Sequence, residues 1–228
     1  MCSAAWHRTL LLKTNPRKFG SISVRTPVAA PGQRIGIMGG SFNPPHEGHL
    51  IVARTALHRL QLDQLWWVVT PGNPLKSHDG LPPQAERLAQ CRKLAGCEPR
   101  MKITGFESKL DSAYTAITLG FLAKRYRATR FVWVMGADNL VGFHRWQDWH
   151  GIAGTIPVAV IDRPHWRLKG LASRMAHALS RRRLPEASAA RLAFTPAPAW
   201  VFLTSKLSEL SSTSLRAQGR KKLVITML

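Results

Sequence analysis

A short segment rich in glycine, proline and histidine contains the residue types best suited to chemistry. It reads Gly39-Gly40-Ser41-Phe42-Asn43-Pro44-Pro45-His46-Glu47-Gly48-His49. Glycines let the backbone approach a ligand closely, so that its N–H groups can point at phosphate oxygens. His46 and His49 are three residues apart at the start of a predicted helix and therefore share a face. Because a helix N-terminus carries partial positive charge, the segment is typical of a phosphate-binding site.

Three other interpretations of this segment stay open. The glycines and prolines could form an ordinary turn, and His46 and His49 could be ordinary surface residues. The two histidines could also bind zinc, but no third ligand lies nearby in the sequence, and the spacing differs from the i, i+4 pair of metalloprotease helices. Their position directly after a glycine turn favours phosphate binding.

Hydroxyl groups and an arginine form a second candidate anion site near the end of the chain. The stretch Ser211-Ser212-Thr213-Ser214-Leu215-Arg216 places hydroxyls at the start of a short predicted helix, with the arginine one turn later. Hydroxyls and free N–H groups at a helix start bind anions, and a guanidinium matches phosphate oxygens. Serine and threonine at a helix start usually only cap the helix. The presence of two candidate phosphate sites in one chain strengthens the assignment of each.

The elements that must position these residues alternate between strand and helix. Apolar runs predict strands over 34–38, 65–70, 101–104, 131–135, 157–161 and 201–203. Amphipathic patterns predict helices over 49–62, 83–94, 112–126, 167–179 and 212–218. Strands that are apolar throughout are typical of a parallel sheet covered on both faces. The sequence therefore predicts a single Rossmann-like α/β domain with a doubly wound parallel sheet, whose ligands bind at the carboxyl ends of the strands.

Charge divides the chain into a nearly balanced middle and two basic ends. The chain carries 33 basic and 12 acidic side chains, a formal net charge of +21. Residues 1–46 contain no acidic side chain, and residues 163–228 contain two. We expect a disordered basic extension over 1–33, the α/β domain over 34–219 and a short tail over 220–228. The excess charge favours polyanions, whether nucleic acid, acidic lipid or nucleoside phosphates.

Cysteine number and hydropathy bear on the compartment. The three cysteines have neither metal-ligand spacing nor the even number of a disulfide set, and they suit a reducing compartment. No apolar stretch approaches the roughly 18 residues of a membrane span. The acid-free N-terminus could be a transit peptide, but its weak apolar periodicity favours a disordered tail. We therefore expect a soluble, cytoplasmic protein without a membrane partner.

Both candidate anion sites resemble signatures of the nucleotidylyltransferase superfamily. The first matches every fixed position of Gly-x-Phe-x-Pro-x-(His/Thr)-x-Gly-His, and the second matches Ser-Ser-Thr-x-x-Arg. The segments between them are similar to those of bacterial nicotinate-nucleotide adenylyltransferases. These segments are Pro71 to Lys76, Ser112 to Thr115, Gly136 to Asp138, Phe143 to Trp146, and Arg163-Pro164. The resemblance covers residues 34–216.

This resemblance implies a step of NAD biosynthesis. Nicotinate mononucleotide and ATP, with Mg²⁺, would give deamido-NAD and pyrophosphate. The mononucleotide phosphate would attack the α-phosphate of ATP in line, so the reaction needs no protein nucleophile. The enzyme would position two anions and stabilise the charge on the α-phosphate and the leaving pyrophosphate.

The resemblance also implies roles for individual residues. His46, His49 and Arg216 would be the catalytic residues that contact the ATP phosphates. The remaining ATP contacts would come from Gly40, Ser41, Phe42, Gly136, Asp138, Ser212 and Thr213. Asp138 would form a hydrogen bond to a ribose hydroxyl or help to place Mg²⁺. No metal site made only of protein ligands is predicted. The mononucleotide would contact Lys76, Tyr114, Thr115 and Trp146, with the indole stacked on the pyridine ring.

Alternatives remain for residues and for function. Trp146 could belong to the core, Lys76 could be a plain surface lysine, and Asp138 could cap a helix. The substrate could be nicotinamide mononucleotide or another superfamily substrate, since no residue uniquely reads the nicotinate carboxylate. A basic nucleic-acid-binding relative without activity is less favoured, because the motif residues are intact and the run 181–183 has no flanking aromatic residue. Homo-oligomerisation is left open.

Overall fold

Seven strands and seven α-helices alternate in the computed structural model, which describes residues 24–72, 80–110 and 114–205. The strands are β1 (Arg34–Gly40), β2 (Gln64–Val69), β3 (Met101–Thr104), β4 (Arg130–Gly136), β5 (Val158–Ile161), β6 (Arg183–Leu184) and β7 (Trp200–Leu203). The helices are α1 (Glu47–Arg59), α2 (Gln84–Ala95), α3 (Thr115–Arg125), α4 (Ala137–Gly142), α5 (Trp149–Thr155), α6 (Arg167–Leu171) and α7 (Arg174–Ala178). Four 3-10 helices cover Phe106–Lys109, Phe143–Arg145, Ser180–Arg182 and Glu186–Phe194.

The strands form one parallel sheet in the order β3-β2-β1-β4-β5-β7-β6. From β1 the chain moves outward to β2 and β3, then returns through α3 to β4 on the other side of β1. The order therefore reverses between β1 and β4. Loops that leave these two strands diverge and open a crevice, which is where open α/β sheets bind ligands. The predicted Rossmann-like, doubly wound fold is confirmed.

Adjacent residues of each central strand are buried on opposite faces of the sheet. Trp66 and Trp67 on β2 are both fully buried, and they belong to two different core clusters. Phe131 and Val132 on β4 divide between the clusters in the same way. Because helices cover both faces, a continuous apolar run is needed in each strand. The assignment of Trp66 and Trp67 to the sheet core is confirmed.

The segment predicted as one helix over 167–179 is two short helices. The hydroxyl of Ser173 accepts a hydrogen bond from the backbone N–H of Ala176 at 3.3 Å and so begins α7. A serine that bonds to the backbone in this way competes with continuation of the preceding helix. Helix α5 was not predicted from the sequence; Asp148 directly precedes it, and its carboxylate caps the helix by accepting a hydrogen bond from the N–H of Gly151 at 3.1 Å.

Residues 24–33 contact the α/β domain, although the sequence predicts a disordered extension over 1–33. Val24 is 3% exposed and packs in one of the two core clusters. Its carbonyl oxygen accepts a hydrogen bond from Arg125 at 2.8 Å. The N–H of Gly32 donates to the carbonyl of Ala128 at 2.7 Å. The predicted boundary at residue 34 therefore lies too far along the chain, because a single buried valine gives no periodic signal.

A chain that begins at residue 24 should unfold at a higher temperature than one that begins at residue 34. Burial of a valine side chain stabilises by about 1.5–3 kcal/mol. For a domain of this size, each kcal/mol shifts Tm by about 2–4 °C, so we expect a difference of about 5 °C. Thermal denaturation followed by circular dichroism measures it. Equal melting temperatures would contradict the packing of residues 24–33.

Candidate active site

The loop that follows β1 passes close to aromatic side chains and is held by them. A Cβ placed on Gly39 would lie 2.7 Å from the Trp133 ring, so only glycine fits there. Phe42 has φ +45°, in the left-handed region, and is 2% exposed. Its ring stacks on Trp67 with centroids 5.1 Å apart and meets the His49 ring at 5.0 Å. This packing fixes the backbone of Ser41 and Phe42 at the crevice.

His46 and His49 cap the N-terminus of α1 with their own side chains. Nδ1 of His46 accepts from the N–H of Gly48 at 3.1 Å, and Nδ1 of His49 accepts from the N–H of His46 at 3.2 Å. The ring centroids are 3.8 Å apart. Because Nδ1 of each neutral ring is an acceptor, the ring hydrogen resides on Nε2. Each histidine therefore has one Nε2–H that can donate to a ligand oxygen.

Both histidines are neutral at physiological pH. Burial lowers the pKa of His46 to about 4, with a further contribution from the positive charge of Arg163. Burial also lowers the pKa of His49 well below its usual range, and the charges of His46 and Arg163 act in the same direction. A buried imidazole favours its uncharged form. The pair therefore offers hydrogen-bond donors rather than cations.

Acid should destabilise the protein between pH 6.5 and 4 through His46. The unfolded chain takes up a proton near the ordinary pKa of 6.5, whereas the folded chain does so only at about 4. The stabilisation is complete above pH 6.5 and is lost as the pH falls. Between pH 7 and 4.5 the wild type should lose about 2 kcal/mol more than His46→Asn, since asparagine caps helices without titrating. Urea unfolding at both pH values measures this, and parallel losses would contradict it.

Arg163, directly after β5, joins the loops of β1 and β4. A Cβ on Gly48 would lie 2.6 Å from its Nη1 and 2.9 Å from the His46 ring. A Cβ on Gly136, at the end of β4, would lie 3.2 Å from Cγ of the same arginine. The guanidinium thus lies beside the histidine pair in the crevice. Arg163 belongs to the Arg163-Pro164 segment that resembles the family, but no role was predicted for it from the sequence.

Asp138 occupies the β4 side of the same crevice. It lies in the first turn of α4, and its Oδ1 would be 2.4 Å from a Cβ on Gly136. Asp138 is half-buried, and Arg163 borders the same glycine. The structure therefore brings together one carboxylate, one guanidinium and two neutral imidazoles.

Three of the four residues predicted to bind the mononucleotide lie on two neighbouring elements. Tyr114 precedes α3 and is 38% exposed, and Thr115 is the first residue of that helix. Trp146 is partly buried, with its ring centroid 5.2 Å from that of Phe143 and 6.1 Å from that of Trp133. Ala116 and Trp146 pack against the same core cluster, so both elements border one side of the sheet.

Four predicted site residues lie outside the described part of the chain. They are Lys76, Ser212, Thr213 and Arg216. Among the described residues, no group of three or more His, Cys, Asp or Glu side chains could hold a metal ion. Within the same ranges, no helix combines the length and apolar character that a membrane crossing requires.

Comparison with known proteins gives the family. The profile of the cytidylyltransferase-like family matches residues 37–218. A protein of Rhizobium meliloti named as a probable nicotinate-nucleotide adenylyltransferase is 57% identical over 183 residues, covering 80% of this chain and 97% of the relative. The chain belongs to the nicotinate-nucleotide adenylyltransferase family, within the cytidylyltransferase-like group. A second relative with the same name, from Methylorubrum extorquens, is 55% identical over 185 residues, covering 81% of this chain and 100% of the relative.

Solved structures agree on the fold of this family member. Nicotinic acid mononucleotide adenylyltransferase of Plasmodium falciparum, in complex with NaAD, superposes with a TM-score of 0.60 at 17% identity. The alignment covers 81% of this chain and 83% of that one. A second structure of the Plasmodium enzyme, complexed with APC, gives the same TM-score at 16% identity. The resemblance stated from the sequence motifs is confirmed at the level of family and fold.

Proposed function

We propose that this chain transfers the adenylyl group of ATP to nicotinate mononucleotide, giving deamido-NAD and pyrophosphate. The observation that carries the proposal is the convergence of two neutral, backbone-oriented histidines with Arg163 at the crevice between β1 and β4. Relatives at 55–57% identity, covered over nearly their whole length, are named for this activity. The reaction is a step in NAD biosynthesis.

The chemistry needs positioning rather than a protein nucleophile. An oxygen of the mononucleotide phosphate forms a bond to the α-phosphorus of ATP, and the bond from that phosphorus to the bridging oxygen breaks. The electron pair leaves with pyrophosphate. Nε2–H of His46 and His49 would donate to phosphate oxygens, and Arg163 would balance the charge that develops on them. Donors fixed before the reaction stabilise such charge without reorganisation.

The donor set also fits Mg²⁺ brought in with ATP. Magnesium usually binds one or two carboxylates and completes its coordination with phosphate oxygens and water. Asp138 is a half-buried carboxylate next to Arg163 at the crevice. A bound Mg²⁺ would supply charge neutralisation on the phosphates. Asp138 would hold that ion or a ribose hydroxyl, while Gly40, Ser41 and Phe42 would contact the phosphates through their backbone.

Residues beyond the described ranges complete the proposed site. Ser212, Thr213 and Arg216 would hold the β- and γ-phosphates, because hydroxyls followed by a guanidinium one turn later bind anions. Lys76 would contact the mononucleotide phosphate. Tyr114 and Thr115, at the start of α3, would approach the nicotinate carboxylate, since a helix N-terminus favours negative charge.

Trp146→Ala should raise the KM for the mononucleotide at least tenfold and change the KM for ATP less than threefold. The reason is that the flat indole would stack on the pyridine ring, a contact worth about 0.5–1.5 kcal/mol beyond area burial. Steady-state kinetics with each substrate varied in turn measures the two constants. Trp149→Ala is the matched control, since Trp149 borders the same core cluster. Equal changes in the KM values for the mononucleotide and for ATP would contradict stacking of Trp146 on the pyridine ring.

Pyrophosphate release tests the proposed function directly. The purified chain is incubated with ATP and Mg²⁺ and with either nicotinate or nicotinamide mononucleotide. We expect release with nicotinate mononucleotide at a kcat/KM at least tenfold higher than with the amide. Equal rates would indicate a dual-specificity enzyme, and no release with either would overturn the proposal.

A further inference from the structure

Two buried ionisable residues have no part in the mechanism above. Arg87 on α2 is 1% exposed, and Glu107, in the 3-10 helix after β3, is 6% exposed. Burial of either group is costly unless hydrogen bonds compensate for the water that it loses. The partners of Arg87 and Glu107 therefore show what these residues hold together.

Arg87 joins two loops at the carboxyl edge of the sheet, the one that follows β1 and the one between β2 and α2. Its guanidinium donates to the carbonyl oxygens of Ser41 at 2.7 Å, Thr70 at 2.9 Å, Pro71 at 3.0 Å and Pro82 at 2.9 Å. The planar fork of five N–H donors can serve several carbonyls at once, whereas an ammonium group offers only three donors. We call the loop that follows β1, with Ser41 and Phe42, the ATP loop. Arg87 thus fixes the ATP loop, through Ser41, to the loop that follows β2.

Glu107 extends this contact to the start of α3. Its carboxyl group lies 2.5 Å from the hydroxyl of Thr118 and interacts electrostatically with the side chain of Thr70. Thr118 lies in the first turn of α3, whose first residue is Thr115. Arg87, Thr70, Glu107 and Thr118 therefore form a continuous set of buried contacts, which we call the polar chain.

The contacts of the polar chain are compatible with a protonated Glu107. The single hydroxyl hydrogen of Thr70 points to the carbonyl oxygen of Gly72 at 3.0 Å. While that hydrogen is bound to Gly72, the Thr70 oxygen can accept a hydrogen from a protonated Glu107 carboxyl group. Burial, the largest influence, raises the pKa of Glu107 against the lowering effect of the Thr118 and Thr70 hydroxyls, and so favours the neutral carboxyl group.

We propose that the polar chain is a positioning device that fixes the ATP loop relative to the mononucleotide-binding start of α3. Which two substrates it aligns rests on the proposed function. In-line transfer needs the attacking oxygen at the correct distance from the α-phosphorus, and a misplacement of about 1 Å can cost about a hundredfold in rate. The members of the polar chain do not contact the reacting atoms in this proposal.

Two replacements of Glu107 test its neutral state. Glutamine supplies one acceptor and an N–H donor in the arrangement of a protonated carboxyl group. Glu107→Gln should keep kcat within threefold of wild type, whereas Glu107→Ala should lower kcat at least tenfold and raise the KM for the mononucleotide more than that for ATP. Glu107→Gln that is as impaired as Glu107→Ala would overturn the assignment of a neutral carboxyl group.

Arg87→Gln and Arg34→Gln separate positioning from stability. The guanidinium of Arg34 donates a hydrogen bond to a carboxylate oxygen of Asp63 at 2.8 Å. Arg34 is the first residue of β1 and so lies at the opposite, amino edge of the sheet. Both variants should lower Tm, but only Arg87→Gln should lower kcat, at least tenfold, when each is assayed 20 °C below its own Tm. Equal losses of kcat in the two variants would reduce the polar chain to a purely structural role.

Amide hydrogen exchange decides the proposal without any substrate. In Arg87→Gln we expect faster exchange at residues 41–42, and in Glu107→Ala faster exchange at residues 117–119. Unchanged exchange at these positions would overturn the polar chain. If the wild type releases no pyrophosphate from nicotinate mononucleotide and ATP, the proposed function fails, and faster exchange still supports the coupling between the two loops.

Discussion

His49→Ala should lower turnover at least a hundredfold while the protein stays folded. The substitution removes the Nε2–H donor, and a hundredfold loss corresponds to about 2.7 kcal/mol of transition-state stabilisation. His49 also accepts the backbone N–H of His46 and meets the Phe42 ring, so some stability is lost as well. Steady-state pyrophosphate release and thermal denaturation measure the two effects separately.

Two further variants isolate the role of the His49 donor. His49→Asn keeps an acceptor oxygen near the position of Nδ1 but has no donor at the position of Nε2, so it should recover stability without activity. His58→Ala, on the exposed face of the last turn of the same helix, should leave both unchanged. Turnover in His49→Asn close to that of wild type would mean that His49 only caps the helix.

Arg163→Gln should lower turnover about a hundredfold, the usual effect of losing one charged contact to a developing oxyanion. The same change should raise the pKa of His46 above its present value of about 4, because the positive charge of Arg163 helps to lower it. Both results follow from the position of the Arg163 side chain, whose aliphatic stem borders Gly136 and whose guanidinium borders Gly48 and the His46 ring. NMR titration of the histidine ring gives the pKa independently of substrate.

Arg100→Gln provides the matched control for Arg163→Gln. Arg100 lies directly before β3, at the amino edge of the sheet, where it bonds Glu98 at 3.0 Å. Its replacement removes the same charge from the protein without touching the crevice, so turnover and the pKa of His46 should not change. A similar loss in both variants would show that overall charge, rather than a specific contact, attracts the substrates.

The fold was predictable because its signals are local and periodic. Strands such as β4 are apolar at every interior position, as a sheet covered on both faces requires. Shorter features escaped prediction, among them β6, with two residues, and the cap of α7 at Ser173. Residues 24–33 escaped for the same reason, since their contacts with Arg125 and Ala128 are made a hundred residues away and leave no local pattern.

The sequence by itself determined the order of elements, the glycine turn after β1 and the histidines at the start of α1. Motif spacing carries that information because each feature depends on neighbours within a few residues. Only the tertiary structure decided that Arg163 joins this pair and that Glu107 and Arg87 connect the loops from within the core. Burial and contacts between distant residues arise when the strand ends meet at one edge of the sheet, so the charge state of His46 and the partners of Arg87 depend on the assembled fold.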